Sequence, residues 1–402
     1  MAEQAVAEQA TIPITRTCPF APVEEHVRLR KEAPISRVRL PGGSEAWALT
    51  RHEDIRAMLT DSRFSSDRSH PSFPRIFTER LVLRSATRSM IAMDEPEHGT
   101  ARRAVTGEFT VKRLAALRPR IQQIVDEHID AMLAGPRPAD LVGALSLPVP
   151  SQVICELLGV PYADHDFFQQ RSGTLLRRTA PLAERERARN ELESYLDDLV
   201  TRKEAEPTDD LLGRQVRKRR ENGTEDHDAL VGLAVLLLIA GHETTANMIS
   251  LGTLTLLENP GQLALIREDP GKVDSAVEEL LRYFTIAEIA TSRFAIQDAE
   301  IGGVLIRAGE GVIGLSNTAN RDPEVFDNPD ELDIERGARH HIAFGYGVHQ
   351  CLGQNLARTE LRIVFDTLFT RVPSLSLAAP VDRLPFKTDG SIYGLYELPV
   401  TW

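Results

Sequence analysis

Cys351 closes the run Phe344-Gly345-Tyr346-Gly347-Val348-His349-Gln350 and stands directly before residues 352–368, whose apolar residues recur at helical spacing. Gly345 and Gly347 admit backbone conformations that a side chain forbids, so the chain can turn tightly and aim N–H groups at the sulfur. A helix starting at the cysteine would point its positive end at the same atom and favour the anionic form. Such a turn can hold a metal-bound thiolate. The same residues would also suit a buried structural cysteine beside an ordinary turn.

A second set of chemical groups lies in Ala240-Gly241-His242-Glu243-Thr244-Thr245, where an acid and a hydroxyl interrupt an apolar helix. Thr244 follows Ala240 by four residues, so its hydroxyl can take that carbonyl and loosen the helix, while Gly241 reduces bulk at the same place. A groove should open there. A carboxylate followed by an alcohol can pass protons inward from water; the alternative is a back-bonded threonine beside a solvated glutamate. His242 is one helical step off the groove face and reads as a packing or surface residue. Glu279 and Arg282 share a face at i, i+3 in residues 274–283, and His98 and Arg102 share one at i, i+4 after Asp94-Glu95-Pro96-Glu97.

The elements that must position these groups are mostly helical. Residues 35–40 and 45–50 flank Pro41-Gly42-Gly43-Ser44 as strand, turn and strand, and residues 52–60 have helical spacing. Residues 97–285 carry period-3.6 apolar patterning, broken at Gly135-Pro136, at 148–150, at 159–161 and at the charged run 214–228. Short strand-like runs return at 294–296, 304–306 and 312–315. No repeat or low-complexity linker divides the chain, so residues 16–402 are expected to form one domain after a disordered start over 1–15. Periodicity implies a mainly α fold with minor β.

A hydrophobic content of 42% in 402 residues supports a large core. The net charge of −12 argues against a nucleic-acid partner. Cys18, Cys155 and Cys351 are too few and too scattered for a disulfide framework and fit a reducing compartment. Cys18 sits in a polar lead-in and Cys155 in an apolar run. The start lacks a basic, apolar leader, and the longest apolar stretch, 229–240, is shorter than the about 20 residues a membrane span needs. A soluble, cytoplasmic enzyme with no membrane contact is expected.

The ten residues 344–353 resemble the haem signature of the cytochrome P-450 superfamily, F-G-x-G-x-H-x-C-x-G, at every specified position, and residues 240–244 resemble its A-G-x-[DE]-T motif. The resemblance spans nearly the whole chain and looks most like the soluble actinomycete group. It implies a triangular-prism fold with small sheets and a long central helix over haem b, iron protoporphyrin IX, bound axially by Cys351. It implies Thr244 as the hydroxyl that steadies dioxygen and Glu243 as the start of the proton relay. Phe344, Gly345, Gly353, Ala240 and Gly241 would border the haem. His98, Arg102, Arg293 and His349 match its propionate partners, and Glu279, Arg282 and Arg336 its E-x-x-R brace.

Where the family builds its pocket the chain offers Leu83, Leu175, Leu236, Ile239, Ile289, Ala290 and Ile392, which suit a hydrophobic small molecule. Arg75, Arg84, Arg88, Arg177 and Arg178 lie in the covering segments, either as surface ion-pair members or as contacts to a substrate carboxylate, glycone or polyol. With no dinucleotide fingerprint and no iron–sulfur cysteine set, electrons would come from a ferredoxin and its reductase. Arg102, Arg103, Lys112, Arg113, Arg358 and Arg362 fall where the family docks such a carrier, or else face solvent. The implied activity is monooxygenation, inserting one oxygen atom at a C–H bond in macrolide, polyene or terpenoid tailoring or in xenobiotic oxidation, by a monomer. Heteroatom oxidation, epoxidation and oxidative coupling are the variants of that chemistry, and a non-catalytic haem sensor is the alternative outside it.

Overall fold

The computed structural model describes residues 11–76 and 89–402. They gather into two compact units, each assembled from separate stretches of chain. The first holds residues 11–76, 283–330 and 342–350, the second 89–282, 331–341 and 351–402.

The first unit is built on a five-stranded sheet in the order Ile35–Arg39, Glu45–Leu49, Gly311–Gly314, Arg293–Ala295, Phe64–Ser65. Glu45–Leu49 and Gly311–Gly314 run parallel with Trp47 opposite Val312, and the other pairs are antiparallel. The first hairpin arises where its turn residues predict it. The charged stretch Ala299–Ile301 also pairs, with Val304–Ile306, because Gly302 and Gly303 between them take the positive φ values of 54° and 82° that a two-residue hairpin demands. The core beneath is Leu49, Ile55, Met58, Phe64, Ile301, Ile306 and Val312, with Ile55 and Met58 supplied by the helix His52–Thr60.

The second unit is helical, with a small sheet of Ala139–Asp140, Pro399–Thr401 and Ser376–Leu377. Its axis is the helix His227–Glu258, started by Asp226, whose side chain accepts the Ala229 N–H at 3.0 Å. This helix is apolar and long enough to cross a bilayer, but it is buried over most of its length by Pro148–Leu158, Leu182–Ala205 and Gln354–Arg371. Two of its glycines set how closely those neighbours approach. A Cβ on Gly252 would stand 2.5 Å from the Phe365 ring, and one on Gly241 would stand 2.8 Å from the Ile154 side chain.

The charged run at 214–228 breaks the helical pattern only at 223–226, before the helix that starts at His227. Most of it lies in the helix Leu211–Asn222, which buries Leu211, Leu212 and Val216 and is capped by Asp210 at one end and by Gly223 at φ 62° at the other. Arg220 is exposed and Arg214, Arg217 and Arg219 are half-buried; a helix needs only one apolar stripe to dock.

Candidate active site

Cys351 comes after a turn in which Gly345 and Gly347 have φ of 71° and 70°, the left-handed conformations expected of them. At Gly347 a side chain is excluded twice over, since a Cβ would lie 2.5 Å from the Leu59 carbonyl oxygen. The helix begins at Gln354 with Gly353 as its N-cap, two residues later than the apolar spacing suggests. That offset brings the sulfur in front of the helix end, where the N–H groups of Gly353 and Gln354 hydrogen-bond it.

Charge at the sulfur follows from competing effects. Burial raises the Cys351 pKa and wins, against the Gly353 N–H, Arg102, Arg358 and the Gln354 N–H, all of which favour the thiolate. The helix end therefore does not make this thiol acidic by itself, contrary to what its dipole alone suggests; a bound cation would have to complete the ionisation. Arg102, on the helix Glu97–Thr106, shows the same balance, with burial lowering its pKa and the Cys351 thiolate raising it. Cys155 is simply buried, and its thiol is pushed up to about 12.

A cysteine deep enough for burial to control its pKa should have little free surface, yet Cys351 is exposed. Both observations hold if the sulfur fronts an internal hollow. Other residues of the same unit agree. A Cβ on Gly353 would meet nothing within 4 Å, and Ala240 is exposed in the middle of a largely buried helix. A ring-shaped ligand needs this: a thiolate donor, a cation beside it and a surface stripped of side chains.

On the axial helix Thr244 donates its hydroxyl to the Ala240 carbonyl at 2.9 Å, as the spacing predicts. Glu243 is not solvated. It is 7% exposed and pairs with Lys387 at 3.1 Å, with the Asn247 amide at 3.4 Å from the same oxygen. Nothing in the local sequence announces Lys387, which is 144 residues away. Its placement depends on Gly394, which lies so close to Asn247 that a Cβ there would be 1.9 Å from the Asn247 side-chain oxygen; the Lys387 N–H bonds the Gly394 carbonyl at 2.8 Å. His242 proves to be a core residue, fully buried, edge-on to Phe168 and held by the Leu238 carbonyl at 2.6 Å. Burial lowers its pKa. At Gly241 the missing side chain makes room for Ile154.

The structure brings Glu279, Arg282 and Arg336 together. Glu279 and Arg282 are fully buried and joined by two bonds of 2.7 Å, Arg336 reaches the same carboxylate at 3.2 Å, and the Asp333 N–H adds a fourth contact at 3.0 Å. Of the cations expected at the cofactor rim, His98 is buried with Nδ1 3.3 Å from Glu95, and Arg102 neighbours Cys351. In the first unit Arg293 is buried with its guanidinium on the Ser292 carbonyl at 2.7 Å, and His349 Nε2 lies 2.9 Å from the Ser66 hydroxyl. Phe344 is half-buried. Arg68, which the sequence did not single out, also keeps accessible surface although burial lowers its pKa.

Leu175, Leu236, Ile239 and Ile392 are half-buried in the second unit, and in the first Ile289 packs on the core while Ala290 is exposed. Leu83, Arg84 and Arg88 lie outside the described residues. Arg178 is neither a surface cation nor free for a substrate: its guanidinium donates to the carbonyls of Gly390 and, at 2.7 Å, Thr388, while Thr179 bonds Asp389 at 3.1 Å. These bonds latch the segment after the helix His165–Leu176 onto the C-terminal turn that carries Lys387. Arg75 and Arg177 are exposed.

The cytochrome P-450 family profile matches residues 179–373. Pentalenic acid synthase of Streptomyces avermitilis is 52% identical over 99% of this chain and 98% of its own. Among solved structures, cytochrome P-450 MoxA from Nonomuraea recticatena is 60% identical, covers 98% of both chains and has a TM-score of 0.89. The mycinamicin VIII C21 methyl hydroxylase MycCI from Micromonospora griseorubida, bound to mycinamicin VIII, is 43% identical with a TM-score of 0.93, covering 98% of this chain and all of its own. The mainly helical fold with small sheets and the haem signature thus define a haem-thiolate monooxygenase. The chain belongs to the cytochrome P-450 family, whose members bind haem through an axial cysteine thiolate.

Proposed function

We propose that Cys351 is the axial ligand and that this enzyme hydroxylates a hydrophobic natural product or xenobiotic. The observation that carries this is the Cys351 sulfur itself, deep in the protein, fronting open space and met by two backbone N–H groups. The haem, when bound, supplies the activation of dioxygen and the insertion of one oxygen atom into a C–H bond; the protein supplies position, charge and protons.

Arg102 and His98 take the propionates, whose charge needs neutralising away from water, and Arg293 and His349 are further cations of the type that does so. Thr244 offers a hydroxyl at a helix turn already loosened by its bond to the Ala240 carbonyl. Glu243 feeds it with protons. Its partner Lys387, 16% exposed, stands between the buried carboxylate and solvent, so protons enter through that pair. Apolar Leu175, Leu236, Ile239 and Ile392 suit a substrate that buries most of its surface. Pentalenic acid synthase and a mycinamicin hydroxylase among its relatives favour a terpenoid or macrolide in secondary metabolism.

Electrons come from a ferredoxin in the cytoplasm, where the free thiols of Cys18, Cys155 and Cys351 remain reduced. Arg103 and Lys112 are exposed and placed to steer such an acidic carrier, whereas Arg362 is paired with Asp274 at 2.8 Å and Arg113 lies 3.6 Å from Glu108.

Two measurements test this. The carbon monoxide spectrum of the reduced protein should be that of a thiolate complex and should be lost in Cys351→Ala. Thr244→Ala should bind haem and substrate normally but release peroxide in place of product. Unchanged coupling of reductant to product would remove Thr244 from the proton path.

A further inference from the structure

We propose that Glu278, His341, Arg358 and Gln354 form a charged positioning chain behind the Cys351 sulfur and set its strength as a donor, so that Arg358 serves the thiolate and not a docking partner. This rests on Cys351 being the axial ligand.

Glu278 adjoins the brace residue Glu279 on the helix Val273–Phe284, but its carboxylate faces a different neighbour. It is 3% exposed and takes Arg358 in a bidentate pair, Nε to Oε1 at 2.6 Å and Nη2 to Oε2 at 3.0 Å. The fully buried His341 side chain stands 3.3 Å from Oε2 on the same carboxylate. Three contacts hold the Arg358 fork, because Nη1 donates to the Gln354 side-chain oxygen at 2.9 Å. Gln354 is the first residue of the cysteine helix, one turn before Arg358, and its backbone N–H is on the sulfur. Contacts therefore run without a gap from Glu278 through Arg358 and Gln354 to Cys351.

Such an arrangement is ill suited to docking. A landing arginine leaves its donors free for the partner, whereas those of Arg358 are committed within the protein. It is well suited to tuning. Arg358 is one of the two cations that act on the sulfur, and a cation near a thiolate withdraws the density it can donate. Glu278 offsets that cation. The two charges thus push the ligated iron in opposite directions: Arg358 favours the reduced, more negative state, and Glu278 opposes it.

The test is the haem reduction potential of the holoenzyme, together with the carbon monoxide spectrum. Glu278→Gln unmasks Arg358 and should move the potential positive; Arg358→Met leaves Glu278 alone and should move it negative, with the thiolate spectrum retained in both. Shifts in the same direction, or none, overturn the proposal, since damaged packing has no reason to change sign with charge. If either variant takes up no haem, Arg358→Lys and Glu278→Asp keep both charges but lose the fork, and the iron–sulfur stretching frequency should shift in each. An unchanged frequency overturns the proposal. Failure of the ligand assignment would look different: the unaltered protein would lack the thiolate spectrum.

Discussion

Replacing Glu279 by Gln should nearly abolish holoprotein, and the structure says by how much. The carboxylate is fully buried, as is Arg282, and it accepts from Arg282, from Arg336 at 3.2 Å and from the Asp333 N–H at 3.0 Å. Glutamine keeps the shape and loses the charge, leaving a guanidinium fully enclosed and a second, on Arg336, 9% exposed, with no carboxylate to share. Removing one partner of a buried pair costs about 3–5 kcal/mol, a large part of the about 5–15 kcal/mol that holds a native domain together. The measurements are haem bound per chain and urea unfolding. Arg336→Met should cost less, and the double variant should cost less than the sum of the two by about 0.5–3 kcal/mol, because both changes break one contact. A Glu279→Gln protein with full haem and a stability within about 1 kcal/mol of the parent would refute the brace as a structural necessity.

Lys387→Met should lower turnover toward the about hundredfold that marks the low end of a positioned proton donor's contribution, with a larger solvent isotope effect and unaltered substrate affinity; an unchanged isotope effect would leave Glu243 fed by another route. His227 sits with Nδ1 2.9 Å from Glu204 and Nε2 3.0 Å from Asp197, so Glu204 first and Asp197 second raise its pKa above 6.5. Because the folded value is the higher one, the stability from this clamp is complete below about pH 6.5 and is lost as pH rises through the raised value. His227→Gln should therefore destabilise the protein in mildly acidic buffer and not in alkaline buffer. A melting-temperature difference that is flat with pH would count against the clamp.

The amino-acid sequence by itself determined the parts of this enzyme that depend on near neighbours. The left-handed turn at Gly345 and Gly347, the bond from Thr244 to the Ala240 carbonyl and the pairing of Glu279 with Arg282 span only a few residues, so helix periodicity and glycine's conformational freedom were enough to find them. Only the tertiary structure decided what each charge faces. Lys387 meets Glu243 across 144 residues, Arg358 meets Glu278 across 80, and Arg178 meets Thr388 across 210. No local rule encodes these partners. The Cys351 thiol shows the same division: its helix end favours the anion, but burial decides the direction. Desolvation belongs to the packed molecule, and a linear chain contains no measure of it.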